Sequence, residues 1–157
     1  MSECCSIRNE EDLPVCPMNE QVVKPVGRFT VESLVKPEIK SQLLRQPYYF
    51  CNAPDCDTVY VSELGDHLIT KDQLSVRVGI KEQDDPIPIC YCFDFDRQSI
   101  HEDFQNKGST EILKIITARV KAGECQCEMA NPSGTCCLGD ISRAVKQADA
   151  MHQQGLL

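Results

Sequence analysis

Cysteines are the most reactive side chains of this sequence, and most of them lie in closely spaced groups. Eleven of the 157 residues are cysteine, and the groups in the second half are Cys90-Tyr91-Cys92, Cys125-Gln126-Cys127 and Cys136-Cys137. Two cysteines that are adjacent or one residue apart rarely reach the geometry of an unstrained disulfide, and an odd total does not suit a simple disulfide framework. Thiols crowded in this way predict metal binding.

Predicted helices bring these groups together. Asp96 is the predicted cap of a first helix, which ends at Gly108. A second helix carries apolar residues between Ile112 and Val120 and ends at Gly123. Each helix is about 15 Å long at 1.5 Å per residue, so the pair returns the chain to its starting end. Cysteines that precede the first helix and follow the second are therefore expected to meet.

A turn precedes the last cysteine pair. It is Asn131-Pro-Ser-Gly134, and a third helix is predicted from about Ile141 with Asp140 as its cap. Six thiols from three segments thus converge, and backbone amides near a helix N-terminus can donate hydrogen bonds to an anionic group there. A [2Fe–2S] cluster takes four thiolates and would leave two surplus. A zinc–thiolate site and packed thiols without metal are the alternatives.

A further pair of cysteines lies at the tip of a predicted β-hairpin. Aromatic and β-branched residues favour strands at 48–51 and 56–61, joined by a turn. Cys51 and Cys56 flank the turn with a spacing typical of a zinc knuckle, in which a turn presents two thiolates to one ion. The role would be structural, because a small hairpin with few apolar residues needs such a staple. Two free cysteines are the alternative.

Several motifs resemble those of one metalloprotein family. They are Lys81-Glu82, Cys90-Tyr-Cys-Phe93, Lys121-Ala-Gly-Glu-Cys-Gln-Cys127 and Asn131-Pro-Ser-Gly-Thr-Cys-Cys-Leu-Gly139. As an ordered set they resemble the CopZ-type N-terminal domain, which belongs to a zinc and [2Fe–2S] copper-chaperone family. The second half alone resembles the [2Fe–2S] domain of bacterioferritin-associated ferredoxin (BFD). The resemblance runs over most of residues 48–141.

The resemblance implies a division of labour among the six thiols of the second half. The implied [2Fe–2S] ligands are Cys90, Cys92, Cys127 and Cys137. The two remaining residues, Cys125 and Cys136, are then near-cluster thiols, which are either packed or have a redox or copper-binding role.

The resemblance also implies ligands for a zinc ion. The family has a Cys-Pro-x-Cys near its N-terminus, and the matching stretch here is Cys16-Pro-Met-Asn19, so an asparagine stands where the second cysteine is expected. The expected zinc ligands are Cys16, Cys51 and Cys56. Cys4 or Cys5 is the expected fourth ligand, and His67 is a less favoured substitute.

These patterns predict an α+β fold in two subdomains. Residues 1–81 form a small zinc-stapled β-hairpin subdomain, of which 1–15 are expected to be loose. It contains a short helix that begins at Pro37 and a further strand at 74–80. The acidic, proline-containing stretch 82–88 is the predicted linker. Residues 89–157 form the BFD-like helical [2Fe–2S]-binding subdomain.

Charge and hydropathy limit the partners. The formal net charge is −8, and thiolate-bound metals would make it more negative. Nucleic acids and anionic membranes attract basic patches, so we expect neither as a partner and favour a protein with a basic surface. No stretch approaches the roughly 18 apolar residues that span a bilayer, and the N-terminus lacks the apolar segment of a signal peptide. A cytoplasmic location without membrane insertion is expected.

The expected function is binding rather than catalysis. The sequence shows neither a glycine-rich phosphate loop nor a nucleophile paired with a base. The resemblance implies one-electron transfer in copper or heavy-metal homeostasis, with a redox or copper-handling partner and with Cu⁺ as a further metal. The Met-x-Cys-x-x-Cys motif of the family's C-terminal copper-carrying domain is absent from the sequence. A general electron-transfer module and a purely structural metal scaffold are the alternatives.

Overall fold

An antiparallel sheet of four strands forms the first half of the fold in the computed structural model, which describes residues 13–157. In sheet order the strands are β1 (Lys24–Val26), β2 (Tyr48–Phe50), β3 (Thr58–Ser62) and β4 (Leu68–Thr70). Strands β2 and β3 pair with Tyr49 opposite Val61, so the predicted hairpin is confirmed. Residues 1–12, most of the segment predicted to be loose, lie outside the described residues.

Both faces of this sheet are covered. Two helices, α1 (Arg28–Leu34) and α2 (Pro37–Lys40), follow β1, and the second begins at the predicted proline. Tyr48 and Phe50 of β2 pack with these helices in one core. Tyr49 lies between them and packs with Cys16 and Cys51 in another core. Because successive side chains of a strand point to opposite faces of the sheet, Tyr49 and the thiols packed with it lie on the face opposite the helices.

The strand predicted at residues 74–80 is wrong. Leu74 makes a single bridge to Val35, and Gly79–Lys81 is a 3₁₀ turn. The reason lies in what surrounds Gly79: its N–H donates a hydrogen bond to the Tyr91 hydroxyl, and a Cβ there would lie 2.0 Å from the carbonyl oxygen of Pro88. The segment is held by the second half of the chain and does not join the sheet. The first and fourth strands of the sheet, β1 and β4, were not predicted.

Helices dominate the second half. A short hairpin of β5 (Pro88–Cys90) and β6 (Phe95–Asp96) precedes α3 (Arg97–Lys107), α4 (Ile112–Lys121), α5 (Cys127–Ala130) and α6 (Leu138–Gln153). Asp96 caps α3 by accepting a 2.8 Å hydrogen bond from the Ser99 N–H, and Gly108 ends it with a φ of 71°. The last helix starts earlier than predicted, because the Ile141 N–H already donates to the Cys137 carbonyl.

The parts on either side of the predicted linker contact each other. The Tyr60 hydroxyl of β3 donates a 2.6 Å hydrogen bond to the Pro132 carbonyl, and Thr30 of α1 reaches the Glu128 carbonyl at the same distance. The division into two subdomains at residues 82–88 stays a prediction. The residues before and after this stretch share buried contacts. No helix within residues 13–157 is long and apolar enough to cross a membrane.

Candidate metal centres

Three of the predicted zinc ligands lie together. The ligand atoms of Cys16, Cys51 and Cys56 are all within 4.8 Å of one another. The sulfurs of Cys16 and Cys56 are 4.0 Å apart, close to the roughly 3.8 Å that separates two thiolates on one tetrahedral zinc ion with 2.3 Å Zn–S bonds. Cys16 and Cys51 are buried and Cys56 is half-buried. The donor set therefore fits a zinc ion.

Backbone hydrogen bonds deliver these thiols from two segments. The Cys16 N–H donates to the Gln21 carbonyl, which closes a tight loop before β1. Cys51 continues the β2–β3 ladder through its N–H to the Val59 carbonyl. The turn that follows is held by the buried Lys81, whose Nζ donates to the carbonyls of Ala53 at 2.8 Å and Cys56 at 2.9 Å.

Asn19 lies at the zinc site although it is not a cysteine. Its Nδ2 donates to the Cys51 sulfur at 3.4 Å, and its Oδ1 accepts from the Gln21 N–H at 2.9 Å. The predicted fourth ligands, Cys4 and Cys5, lie outside the described residues. His67 is not brought to the site: its Nδ1 bonds to the Tyr48 hydroxyl at 2.7 Å.

Electrostatics at this site favour a thiolate at one position. Burial opposes ionisation of Cys51, but hydrogen bonds from the Ala53 N–H and the Asn19 amide, together with the positive charge of Lys81, lower its pKa. Burial raises the pKa of Cys16. Burial lowers the pKa of Lys81, and the three neighbouring thiolates act in the opposite direction by favouring its cation. Lys81 thus places a buried positive charge beside a cluster of thiols.

The four predicted cluster ligands meet as two pairs. The sulfurs of Cys90 and Cys137 are 3.3 Å apart, and those of Cys92 and Cys127 are 3.6 Å apart. Each pair combines a residue before the helical hairpin with one after it. Cys90, Cys127 and Cys137 are buried, and Cys92 is half-buried. The hairpin of α3 and α4 therefore brings four of the six thiols together as two pairs, whereas the sequence predicted that all six meet at one spot.

The arrangement of the four thiols in two pairs indicates which kind of metal group they could bind. Among residues 13–157, Cys16, Cys51 and Cys56 form the one group in which three or more ligand atoms lie within 4.8 Å of one another. The four predicted cluster thiols of the second half do not form such a group. One tetrahedral ion would need all four sulfurs about 3.8 Å apart. Two separate pairs suit two metal atoms better than one ion, and a [2Fe–2S] cluster has two metal atoms and takes four thiolates. The donor set fits that group.

Hydrogen bonds and charge act unequally on these thiols. The Cys137 thiol donates to the Cys90 sulfur and lowers the pKa of Cys90 to about 6, with the guanidinium of Arg119 contributing. The same bond raises the pKa of Cys137. Burial raises the pKa of Cys127 to about 11. The Cys92 sulfur accepts a 3.2 Å hydrogen bond from the Gln126 N–H.

The two surplus thiols stand beside the pairs. Cys125 is half-buried and Cys136 is exposed. Burial and the neighbouring thiols of Cys127 and Cys136 raise the pKa of Cys125. The hydroxyl of Tyr91 and the amine of Lys81 hold the loops of these sites through hydrogen bonds, and neither role was predicted from the sequence. Two features of the sequence could have indicated these roles. Tyr91 lies between two predicted cluster ligands, and Lys81 belongs to one of the motifs that resemble the family.

The chain is similar to known CopZ proteins in sequence and in fold. A family described as a zinc-binding domain of CopZ matches residues 13–75. The crystal structure of the CopZ N-terminal domain from Archaeoglobus fulgidus superposes with a TM-score of 0.69 at 30% identity, over 83% of this chain and 96% of that one. The chain belongs to the CopZ N-terminal-domain family. The resemblance expected from the cysteine motifs is thereby confirmed.

A curated relative extends the comparison. The copper chaperone CopZ of Archaeoglobus fulgidus is 31% identical over 115 residues, which are 73% of this chain. The match spans 53% of that relative, so the chain corresponds to about half of its length. The mixed α+β architecture of the CopZ domain is therefore shared, and the relative is named for handling copper.

Proposed function

We propose that this CopZ-type protein binds a [2Fe–2S] cluster and a zinc ion and serves one-electron transfer in copper or heavy-metal homeostasis. Cys90, Cys92, Cys127 and Cys137 would hold the cluster. Cys16, Cys51 and Cys56 would hold the zinc ion with a fourth thiolate from Cys4 or Cys5. When bound, the cluster supplies a centre that accepts and releases one electron.

The observation that carries this proposal is the arrangement of four thiols in two close pairs. The residues around them prepare the site for an anionic group: the Gln126 amide faces the Cys92 sulfur, and Arg119 stands close enough to lower the pKa of Cys90. Arg119 also lies over the ring of Phe93 at 3.9 Å, which fixes the guanidinium beside the cluster loop.

The case for copper as a further metal rests on the curated relative. That protein is a copper chaperone, which favours a copper-handling partner for this chain over a partner in general electron transfer. The exposed Cys136 and the half-buried Cys125 are thiols outside both pairs, and soft thiolates suit Cu⁺. Copper is cargo in this proposal, and Cys125 and Cys136 are the residues we assign to it.

The test is a cysteine scan of protein purified without oxygen. Iron, acid-labile sulfide and the visible spectrum are measured for Cys127→Ala and for its matched control, Cys125→Ala. We expect the first variant to lose nearly all cluster iron, because the Cys92 sulfur loses its partner. The control should keep the wild-type content and spectrum.

A second measurement addresses electron transfer. Dithionite should reduce the wild-type cluster to a paramagnetic state that electron spin resonance detects. A cluster that resists reduction would contradict the electron-transfer function and leave a structural role. Loss of the cluster from Cys125→Ala with retention in Cys127→Ala would instead contradict the ligand assignment.

A further inference from the structure

The segments that carry the cluster thiols Cys90, Cys127 and Cys137 are each hydrogen-bonded to residues 13–81, which we call the sheet half. The Tyr91 hydroxyl, between Cys90 and Cys92, accepts from the Gly79 N–H at 2.8 Å and donates to the Arg77 carbonyl at 2.9 Å. These bonds fix the first cluster segment against residues 77–79, which follow the sheet in the chain.

The second and third segments are held in the same way. The carbonyl of Glu128, directly after Cys127, accepts a 2.6 Å hydrogen bond from the Thr30 hydroxyl of α1. The carbonyl of Pro132, in the turn before Cys137, accepts a 2.6 Å bond from the Tyr60 hydroxyl of β3. Thr30 is 2% exposed and Tyr60 is fully buried, so neither bond has water as a substitute.

The turn between the second and third segments is also shaped by the sheet half. Gly134 has a φ of 70°, and a Cβ there would lie 3.1 Å from the Thr30 hydroxyl oxygen. Asn131 holds the turn from inside, because its amide donates to the Thr135 carbonyl and accepts from the Ser133 N–H. The turn thus rests directly on α1.

One short segment contacts both metal sites. Residues 77–79 hold Tyr91, and Lys81, two residues later, holds the carbonyls of Ala53 and Cys56 in the zinc knuckle. An ordered knuckle keeps those carbonyls in place for Lys81. A disordered knuckle would release the segment and with it the support of the Cys90–Cys92 loop.

We propose that the sheet half is a platform that positions the cluster thiols through three hydroxyls, those of Thr30 and Tyr60 in the platform and that of Tyr91 in the first cluster segment. The state of the zinc knuckle then governs how long the cluster is retained. The inference about retention rests on the proposed cluster, whereas the positioning of the thiols does not. Thr30, Tyr60 and Tyr91 are therefore positioning residues, which act through the backbone of the ligand segments.

The first test uses the zinc-bound protein freed of iron. The rate at which iodoacetamide alkylates Cys137 is followed by mass spectrometry in Tyr60→Phe and in the control Tyr48→Phe. Tyr48 is also a buried tyrosine with a bonded hydroxyl, but its partners, His67 and Leu44, lie within the sheet half. We expect Tyr60→Phe to label roughly two- to tenfold faster than the control, the range for one lost hydrogen bond.

The second test uses the cluster-bound protein. A chelator is added without oxygen, and loss of the visible circular dichroism is timed for Thr30→Val, Thr30→Ser, Tyr91→Phe and Cys51→Ser. Thr30→Val and Tyr91→Phe should lose the cluster faster, by roughly two- to tenfold for each lost hydrogen bond. Cys51→Ser, which removes a thiol of the zinc knuckle, should also lose it faster than the wild type. Thr30→Ser keeps the hydroxyl and should match the wild type.

Coupling between the sites is read from a double variant. If the knuckle acts through residues 77–81, Tyr91→Phe should add little to the effect of Cys51→Ser. Equal alkylation of Tyr60→Phe and Tyr48→Phe would overturn the platform. Additive effects of Tyr91→Phe and Cys51→Ser would overturn the link to zinc. Absence of a cluster from the wild-type protein would defeat the proposed function, while the alkylation test would still decide the platform.

Discussion

Asn19 is the residue at which the chain departs from the Cys-Pro-x-Cys pattern, and its side chain still reaches the zinc site. An amide that donates to the Cys51 sulfur stabilises a thiolate without supplying a fourth sulfur. Lys81 contributes in a different way, because its buried amine binds two carbonyls of the knuckle turn. Asn19 thus helps to lower the pKa of Cys51, and Lys81 holds the turn that follows Cys51.

The substitution Asn19→Cys tests the fourth zinc ligand. If Cys4 or Cys5 supplies it, replacing both with serine should weaken zinc binding by at least about tenfold in a competition with a chromophoric chelator. In the Asn19→Cys background the same double substitution should have little effect, because position 19 then offers a sulfur beside Cys51. Equal zinc affinity with and without Cys4 and Cys5 in the wild-type background would show that neither is a ligand.

Single residues show what the sequence did and did not make predictable. Cys51 and Cys56 were predictable as a pair because their spacing depends on one local turn. The approach of Cys90 to Cys137 depends on a helical hairpin whose first helix, α3, has strong local signals at both ends, Asp96 at its start and Gly108 after its last residue. The positions of Tyr91 and Lys81 in the motifs marked them as candidates, but their roles could not be derived, since each bonds to a carbonyl that only the tertiary fold brings near.

Among the elements, residues 74–80, between the sheet and the first cluster loop, have a sequence pattern that predicts the wrong secondary structure. Alternating apolar residues at 74–80 predicted a strand, but tertiary contacts took precedence over this pattern. The Gly79 backbone lies against that of Pro88, where a Cβ would be 2.0 Å from the carbonyl oxygen. A glycine here is required by space, because the two backbones approach closely.

The substitution Gly79→Ala should therefore disrupt the junction. A backbone oxygen cannot move aside cheaply, so we expect the free energy of unfolding to fall by about 3 kcal/mol, measured by urea titration. The matched control is Gly139→Ala in α6, where the nearest atom is the flexible end of Arg143 at 3.9 Å. The control should leave stability unchanged or raise it by up to about 1 kcal/mol. Equal stability of the two variants would contradict the close approach.

For the whole molecule, charge determines which surfaces it approaches. A net charge of −8 favours encounter with a basic surface and disfavours an acidic one. The attraction between exposed charges is screened as salt rises, because the Debye length falls from about 30 Å at 0.01 M to about 10 Å at 0.1 M. We therefore expect docking of the cluster-bound protein to depend on salt.

Voltammetry measures this dependence without a known partner. On an amine-coated electrode the cluster should give a current that falls as salt is raised from 0.01 to 0.1 M, on the scale over which the Debye length shrinks. On a carboxylate-coated electrode the current should be weak throughout. Currents that are equal on both surfaces, or independent of salt, would show that net charge does not guide docking.

The order of the cysteines along the chain also sets an order of assembly during synthesis. All three described zinc ligands have been made once the ribosome has passed Cys56, whereas each cluster pair joins residues 47 or 35 positions apart. No pair with Cys90 can form before Cys137 has been added. Truncated chains that end just after Lys81 and are released from the ribosome should therefore hold zinc, and released chains that end before Cys137 should hold no stable iron. Iron in such shorter chains would show that the pairs are not needed. The sheet is thus available as a finished template when the last cysteine emerges.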